Sequence, residues 1–285
     1  MSVKIHAIKT GTVRVKSAQP ERKTGGLIRI LADKSWSGWL PIYAWVIDHP
    51  EGVIVVDTGE TARSANDPDY FPGWHPYYRT SVQTCIKPED EIGPQLRSMG
   101  IGPHDVKKVI LTHFHTDHAG GLHHFPESGI LVSAKDYKLA RGYTGRLLGY
   151  LPHRWPGWFN PVPLQFTRER FGPFRESYKV TDAGDVWIIP TPGHTPNHMS
   201  VVVISEDILY FLAGDTTYSQ DLLLQNVPDG ISFRASVTLN TMAKIRELAR
   251  TNPVVYLPSH DDQSENRLNY KKNMPVEETA KIELV

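Results

Sequence analysis

Hydrophobic and polar residues alternate along several short stretches near the start of the chain, which is the pattern of strands with one buried face. Two such stretches, Val3–Ile8 and Val13–Lys16, predict short antiparallel strands. Pro41–Ile47 and Val53–Val56 predict a hairpin, because the five residues between them are rich in turn formers. The first part of the chain therefore predicts an antiparallel sheet.

Helical spacing and short apolar runs mix along the rest of the chain. Pro88–Gly100 predicts a helix, and the crowded apolar residues of Val106–Leu111 predict a central strand. The remaining predicted elements are strands at Ile130–Ser133, Val186–Ile189, Met199–Ile204, Ile208–Ala213 and Val254–Leu257, a short helix through Leu139 and a helix at Ala235–Arg250. Because strands and helices mix in both halves, we expect a layered α/β fold in one domain spanning residues 1–285.

Two segments show neither the alternation typical of strands nor the spacing typical of helices. Residues 60–84 are polar, with prolines and aromatic residues, and predict a long surface loop. Residues 142–178 carry many aromatic residues separated by Pro and Gly, and predict an insertion of loops or short helices. Within that insertion, Trp155, Trp158 and Phe159 are our candidates for an apolar wall that binds substrate.

Charge and composition narrow the function. Lys plus Arg and Asp plus Glu both number 31, so the balanced charge argues against a nucleic-acid partner. No apolar run is long enough to span a membrane, and the start has no apolar block typical of a secretion signal, so we expect a cytoplasmic protein. One cysteine excludes an internal disulfide and a thiolate metal cage, whereas 13 histidines favour a nitrogen and oxygen metal site.

One run of residues holds four candidate metal ligands. The predicted strand that ends at Leu111 leads into Thr112–Gly121, which contains His113, His115, Asp117 and His118. Alternate residues of an extended chain share a face, so the first two histidines can reach one ion. The aspartate and the third histidine follow the turn and can reach a second ion.

Three further candidates, His194, Asp215 and His260, each lie at the end of a predicted strand, next to Gly- or Pro-marked loops. Strand ends on a rigid scaffold commonly present ligands along one rim. Five imidazoles and two carboxylates suit two divalent ions. Zinc is the first choice, and iron, cobalt and manganese accept the same groups.

These residues resemble the metallo-β-lactamase superfamily. The His-x-His-x-Asp-His run at 113–118, the three later ligands in the same order, and Asp57-Thr58-Gly59 after a hydrophobic strand are typical of that superfamily. The chain is most similar to its N-acyl-homoserine lactone lactonases, because Tyr218 lies three residues after Asp215. The run Gly193–His198 also fits, although Asn197 stands where that group has glycine.

The resemblance, which covers roughly residues 40–262, implies a four-layer αβ/βα sandwich and two metal ions. It implies that His113, His115 and His194 hold one ion, that Asp117, His118 and His260 hold the other, and that Asp215 bridges both. It further implies a hydroxide between the ions that attacks a small-molecule lactone or ester. In this scheme Tyr218 hydrogen-bonds the substrate, and Asp117 carries a proton to the leaving alkoxide.

Several alternatives remain open from the sequence. An organophosphate or aryl-ester hydrolase, or a phosphodiesterase, would use the same ligands on another substrate. A catalytically silent metal-binding protein is disfavoured, because all seven ligands are present. Asp57 either caps a turn or orients a ligand histidine. The family resemblance and the aromatic segments at 60–84 and 142–178 favour a homodimer.

Overall fold

The computed structural model describes residues 3–276, and across them two sheets pack face to face with helices on their outer sides. Residues 1–2 and 277–285 of the predicted domain lie outside the described residues. The strands, in chain order, are β1 Lys4–Val15, β2 Leu40–Asp48, β3 Val53–Val56, β4 Val82–Cys85, β5 Val106–Ile110, β6 Gly129–Ser133, β7 Val162–Leu164, β8 Tyr178–Lys179, β9 Val186–Pro190, β10 Met199–Ser205, β11 Ile208–Gly214 and β12 Val254–Pro258. The α-helices are α1 Gly26–Ala32, α2 Arg63–Asn66, α3 Pro76–Thr80, α4 Ile92–Ser98, α5 Thr116–Ala119, α6 Ala134–Arg141, α7 Tyr143–Leu147, α8 Gln220–Leu224, α9 Ala235–Thr251 and α10 Ser264–Asn269.

The first sheet has the order β4-β1-β2-β3-β5-β6-β7, and the second has the order β12-β11-β10-β9-β8. The β2–β3 pair is the predicted hairpin, with Trp45 opposite Val56. Strands β3, β5, β6 and β7 then run parallel, as do β11 and β12 in the second sheet. Parallel neighbours bring the ends of several strands to one edge of each sheet.

Strand β2 shows how the layers arise. Its Trp45 and Ile47 point into a core shared with the second sheet, where Val201 and Leu212 lie. Its alternate residues face the other way, into a core formed with the first sheet's helices. Helix α9 covers the second sheet through Met242 and other apolar residues. The predicted αβ/βα sandwich is therefore observed.

Three assignments of secondary structure from the sequence differ from the structure. The two strands predicted before residue 17 are one strand, β1, which a register shift between Lys9 and Thr12 interrupts. Gly11 takes a φ of +124° at that shift, which breaks the alternation. The predicted loop at 60–84 contains α2, α3 and the edge strand β4. The segment at 142–178 contains short helical turns, as predicted, but it also supplies β7, which pairs with β6.

None of the helices in the described part of the chain combines the length and the apolar character that crossing a bilayer requires. Helix α9, the longest of those given above, carries polar residues on the face away from the second sheet.

Candidate metal centre

The candidate ligands follow the ends of four strands. His113 comes after β5, His194 after β9, Asp215 after β11 and His260 after β12. The loops that leave these strands lie at the same end of the two sheets, so residues far apart in sequence meet there. The short helix α5 adds the three remaining candidates: His115 directly precedes it, and Asp117 and His118 lie in it.

The first predicted group of ligands is brought together. His115 Nδ1 lies 2.9 Å from His113 Nε2 and 3.0 Å from His194 Nε2. The three side chains form a set whose ring nitrogens could hold one ion. Their rings meet edge to face, with centroids 4.6–5.0 Å apart, so that the nitrogens rather than the carbon edges converge.

The second predicted group also converges. His260 Nε2 lies 3.4 Å from Asp117 Oδ2, and His118 Nε2 lies 3.9 Å from Asp117 Oδ1. This group again satisfies the spacing required of a three-ligand metal set. Each of the two triads that the resemblance implies is thus brought together, and a further set of His113, His118 and Asp215 connects them.

Asp215 lies between the two triads. Its Oδ2 is 3.2 Å from His194 Nε2, whereas its Oδ1 is 3.1 Å from His118 Nε2 and 3.4 Å from His260 Nε2. One carboxylate oxygen therefore faces each triad. That placement is the geometry required of a carboxylate that bridges two ions. We refer to these seven side chains as the ligand cluster: His113, His115, Asp117, His118, His194, Asp215 and His260.

The outward ring nitrogen of every histidine in the ligand cluster faces an oxygen that can accept a hydrogen bond from it. Each ring is thereby fixed in the tautomer whose lone pair points inward, as metal ligands require. The pairs are His113 Nδ1 with Thr112 Oγ1 at 3.1 Å, His115 Nε2 with the Leu148 carbonyl at 3.2 Å, His118 Nδ1 with Asp57 Oδ2 at 2.8 Å, His194 Nδ1 with Asp229 Oδ2 at 3.1 Å, and His260 Nδ1 with the Pro41 carbonyl at 2.8 Å.

Asp57 orients ligands rather than only capping a turn. Besides His118, its carboxylate accepts hydrogen bonds from the Thr112 backbone N–H at 2.8 Å and from Thr112 Oγ1 at 2.9 Å. Since the Thr112 hydroxyl donates its hydrogen to Asp57, Thr112 Oγ1 is left to accept a hydrogen bond from His113 Nδ1. Asp57 has a φ of +59°, a strained value for a residue with a side chain. The strain places one buried carboxylate beside both triads.

The ligand cluster holds buried polar atoms without a hydrogen-bond partner. His118 Nε2 and Asp215 Oδ1 are both orphaned in this way, although they lie 3.1 Å apart. Such buried atoms are costly unless another group satisfies them. A cation between His118 Nε2 and Asp215 Oδ1 would satisfy both atoms. The inward lone pairs of the histidines would be satisfied by a cation in the same way. The side chains of the cluster therefore fit divalent metal ions.

The electrostatics of the cluster agree with this fit. Burial lowers the pKa of His113 well below its usual range, and the neighbouring His118 and His115 lower it further. At His118 burial also opposes the charged form, but Asp215 and Asp57 outweigh it and raise the pKa well above its usual range. The carboxylates thus create a strongly negative site that attracts positive charge.

Tyr218 lies at the edge of the ligand cluster. Its ring stacks on His260, with centroids 5.1 Å apart, and its hydroxyl accepts a hydrogen bond from Gln19 Nε2 at 2.8 Å. Burial, with Asp215 nearby, raises the pKa of Tyr218 well above its usual range, so the phenol stays protonated. With its oxygen already accepting a bond, the hydroxyl retains its proton for another group.

A cavity of about 310 Å³ opens onto the ligand cluster. Tyr218, Gln19 and Glu60 lie along it together with members of the cluster. Its apolar side, which we call the cavity wall, comprises Leu27, Phe71, Tyr77, Leu147, Leu148 and Phe233. These residues come from α1, the 60–84 segment, α7 and the loop before α9.

The residues predicted as a substrate wall, Trp155, Trp158 and Phe159, do not line this cavity. Trp155 and Phe159 instead pack against Phe114, with ring centroids 4.9 and 6.3 Å away, in the core between the first sheet and its helices. Trp158 is 40% exposed. Aromatic residues in an insertion bury against the nearest apolar surface, and here that surface lies behind the ligand cluster.

The sequence reasoning missed Asp229 and Gln19. Asp229 orients His194 and also accepts hydrogen bonds from the backbone of Ile231 and Ser232. Its Pro-Asp-Gly context signals a turn, but nothing in it signals a partner 35 residues earlier in the chain. Gln19 contacts Tyr218 across 199 positions, and no local pattern marks it.

A comparison with protein-family models matches residues 37–260 to the metallo-beta-lactamase superfamily. The chain belongs to the metallo-beta-lactamase superfamily. The match spans the whole ligand cluster and both sheets from β2 to β12.

Two curated N-acyl homoserine lactonases resemble the chain. N-acyl homoserine lactonase AiiA of Bacillus thuringiensis subsp. kurstaki is 27% identical over 237 residues, which cover 79% of this chain and 83% of that protein. N-acyl homoserine lactonase AttM of Rhizobium radiobacter is 27% identical over 243 residues, covering 82% of this chain and 86% of that protein.

Solved structures share the superfamily fold. An N-acyl homoserine lactone hydrolase, solved with the product N-hexanoyl-L-homoserine at its catalytic metal centre, superimposes with a TM-score of 0.76 at 22% identity, covering 93% of this chain and 96% of that one. AidC, a dizinc quorum-quenching lactonase, gives 0.61 at 15% identity, covering 91% and 88% of the two chains.

Proposed function

We propose that this protein is a metal-dependent hydrolase that opens the lactone ring of N-acyl homoserine lactones. The observation that carries the proposal is the inward lone pair of all five histidines around Asp215. The substrate class comes from the curated relatives, which are N-acyl homoserine lactonases. An apolar wall beside the ligand cluster suits an acyl chain.

The residues that would hold the metals follow from the two triads. We assign one ion to His113, His115 and His194, the other to Asp117, His118 and His260, and Asp215 to both. Two bound divalent ions supply Lewis acidity and lower the pKa of water, and zinc is our first choice because imidazole and carboxylate suit it. AidC, which shares the fold, is described as a dizinc enzyme.

The chain's own side chains would then guide the reaction. Tyr218 donates a hydrogen bond to the carbonyl oxygen of the substrate, where negative charge develops as water adds to the carbonyl carbon. The bond between that carbon and the ring oxygen breaks. Asp117, whose side chain is 20% exposed at the cavity, takes up the proton that the adding water loses and carries it to the ring oxygen as that oxygen leaves. The product is an open-chain N-acyl homoserine.

The cavity wall would bind the acyl chain. Its six residues line the cavity together with Tyr218 and members of the ligand cluster, so an acyl tail on the amide nitrogen beside the lactone ring has an apolar surface within reach. Each buried methylene contributes about 0.8 kcal/mol to binding. Chain-length preference therefore reports on this wall rather than on the ligand cluster.

We also propose that the chain forms a homodimer. Leu27 and Ile28 are 48% and 80% exposed, and a second copy would bury such side chains. Sedimentation velocity of the purified protein tests this proposal, with a mass of two chains expected and a mass of one chain contradicting it.

A direct assay tests the activity. Purified protein is mixed with N-hexanoyl-homoserine lactone and acid release is followed, with and without a chelator. We expect acid release that the chelator abolishes and that a divalent metal restores. The absence of turnover in metal-loaded protein would contradict the proposed function. A chromogenic phosphotriester in parallel tests the organophosphate alternative, because the same ligands serve both substrates.

A further inference from the structure

A second group of metal-ligating side chains lies outside the ligand cluster. Glu91, at the start of α4, meets His123 and His124 from the turn that follows α5. Glu91 Oε2 is 3.0 Å from His123 Nε2 and 2.7 Å from His124 Nε2. The two imidazole rings lie side by side, with centroids 4.0 Å apart. The three side chains satisfy the spacing required of a metal-binding set.

The carboxylate of this group is held in place from behind. Glu91 Oε1 accepts hydrogen bonds from the Ala62 backbone N–H at 2.8 Å and from Thr61 Oγ1 at 3.2 Å. Its other oxygen is thereby turned towards the two histidines. A ligand that is fixed by a second set of hydrogen bonds is a feature of metal sites.

His123 faces acceptors on both sides of its ring. Its Nδ1 lies 3.2 Å from the Gly120 carbonyl, which can only accept a proton, and its Nε2 faces the carboxylate of Glu91. A neutral ring that donates from Nδ1 presents a bare lone pair to the negative carboxylate. A neutral ring can donate a hydrogen bond to only one of these two acceptors, and a metal ion between Nε2 and the carboxylate would leave Nδ1 free to donate to the other.

The spacing matches that of the ligand cluster. Nitrogen and oxygen atoms of this group lie 2.7–3.0 Å apart, and the first triad of the ligand cluster spans 2.9–3.0 Å. Ligands about 2.0–2.1 Å from a tetrahedral zinc ion stand slightly farther apart than this. The side chain of His123 is 45% exposed, so it has room to open by that amount and to admit an ion from solvent.

We propose that Glu91, His123 and His124 form a third metal site for a borderline divalent ion such as Zn²⁺, with a fourth position open to water. Two imidazoles and one carboxylate are a known ligand set for zinc. The ion would join the start of α4 to the turn directly after α5. Because α5 carries Asp117 and His118, the third site would brace the ligand cluster from outside without touching substrate.

Metal stoichiometry tests the proposal. Protein already loaded at the ligand cluster is dialysed against Zn²⁺ and its zinc content is measured by mass spectrometry. We expect one additional ion per chain in the wild type and at least about tenfold weaker binding of it in His123→Ala. His104→Ala is the matched control, since His104 is also exposed and pairs with one carboxylate, Glu127, but lies in neither metal set.

A spectroscopic readout keeps the test independent of catalysis. Cu²⁺ added to protein that carries zinc at the ligand cluster only should give an electron paramagnetic resonance signal split by two imidazole nitrogens, and this splitting should be lost in His123→Ala. No additional ion in the wild type, or equal binding by wild type and His123→Ala, would show that the group is only a hydrogen-bonded ion pair. Neither measurement depends on lactone hydrolysis.

Discussion

The ligand cluster and the cavity wall lie side by side but are built in different ways. Every histidine of the cluster is tied by its outward nitrogen to an oxygen, and strand ends or the short helix α5 fix its backbone. The wall consists of apolar side chains from short helices and loops, and Leu147 and Phe233 in it are 53% and 56% exposed. Chemistry thus resides on rigid strand ends, whereas substrate fit resides on segments that can change independently.

Removal of one ligand should have the largest effect. For His115→Ala we expect loss of metal and a fall in lactone hydrolysis of about 10³-fold or more, because the variant loses the ion that stabilises negative charge in the transition state. Metal content by mass spectrometry and acid release measure the two effects. Full activity in this variant would remove His115 from the cluster.

Removal of the phenol should separate catalysis from metal binding. In Tyr218→Phe the substrate carbonyl loses a donor, so we expect kcat to fall about 10²-fold with metal content unchanged. Tyr256→Phe is the matched control, because it removes another buried phenol whose partner is Thr217. An unchanged kcat in Tyr218→Phe would exclude the residue from the mechanism.

Loss of an orienting carboxylate should have an intermediate effect. Asp229→Asn removes the charge that fixes His194, and we expect metal affinity to fall about 10- to 100-fold. Asp185→Asn serves for comparison, since Asp185 holds His49 in the same manner but away from the cluster. Competition with a chromophoric chelator measures both affinities, and equal values in the two variants would refute the role of Asp229.

The smallest effect should come from the wall. Phe233→Ala removes apolar contact worth about 1–2 kcal/mol at most, so we expect KM for a long-chain lactone to rise several-fold while kcat and metal content hold. For a short-chain lactone KM should barely change. Trp158→Ala is the control, because Trp158 belongs to the wall predicted from the sequence, and we expect it to leave KM for both lactones unchanged. A raised KM for the long-chain lactone in Trp158→Ala but not in Phe233→Ala would favour the wall predicted from the sequence.

Features that depend on a local sequence pattern could be predicted, whereas those that depend on distant contacts could not. The β2–β3 hairpin and strand β5 were predictable, because each depends on a local pattern of apolar residues. Four of the proposed ligands share one short run, whereas His194, Asp215 and His260 were expected from strand ends and from the family resemblance. Gly11 hid the continuity of β1, since a bulge interrupts the pattern on which strand prediction depends. Asp229 and Gln19 act through contacts 35 and 199 positions away, which no local pattern encodes.

Anomalous diffraction from crystals of the metal-loaded protein tests the central claim most directly. We expect two metal peaks at the ligand cluster, one bound by His113, His115 and His194 and the other by Asp117, His118 and His260, with one oxygen of Asp215 at about 2.0–2.2 Å from each. A single ion, or two ions of which Asp215 touches only one, would contradict the account.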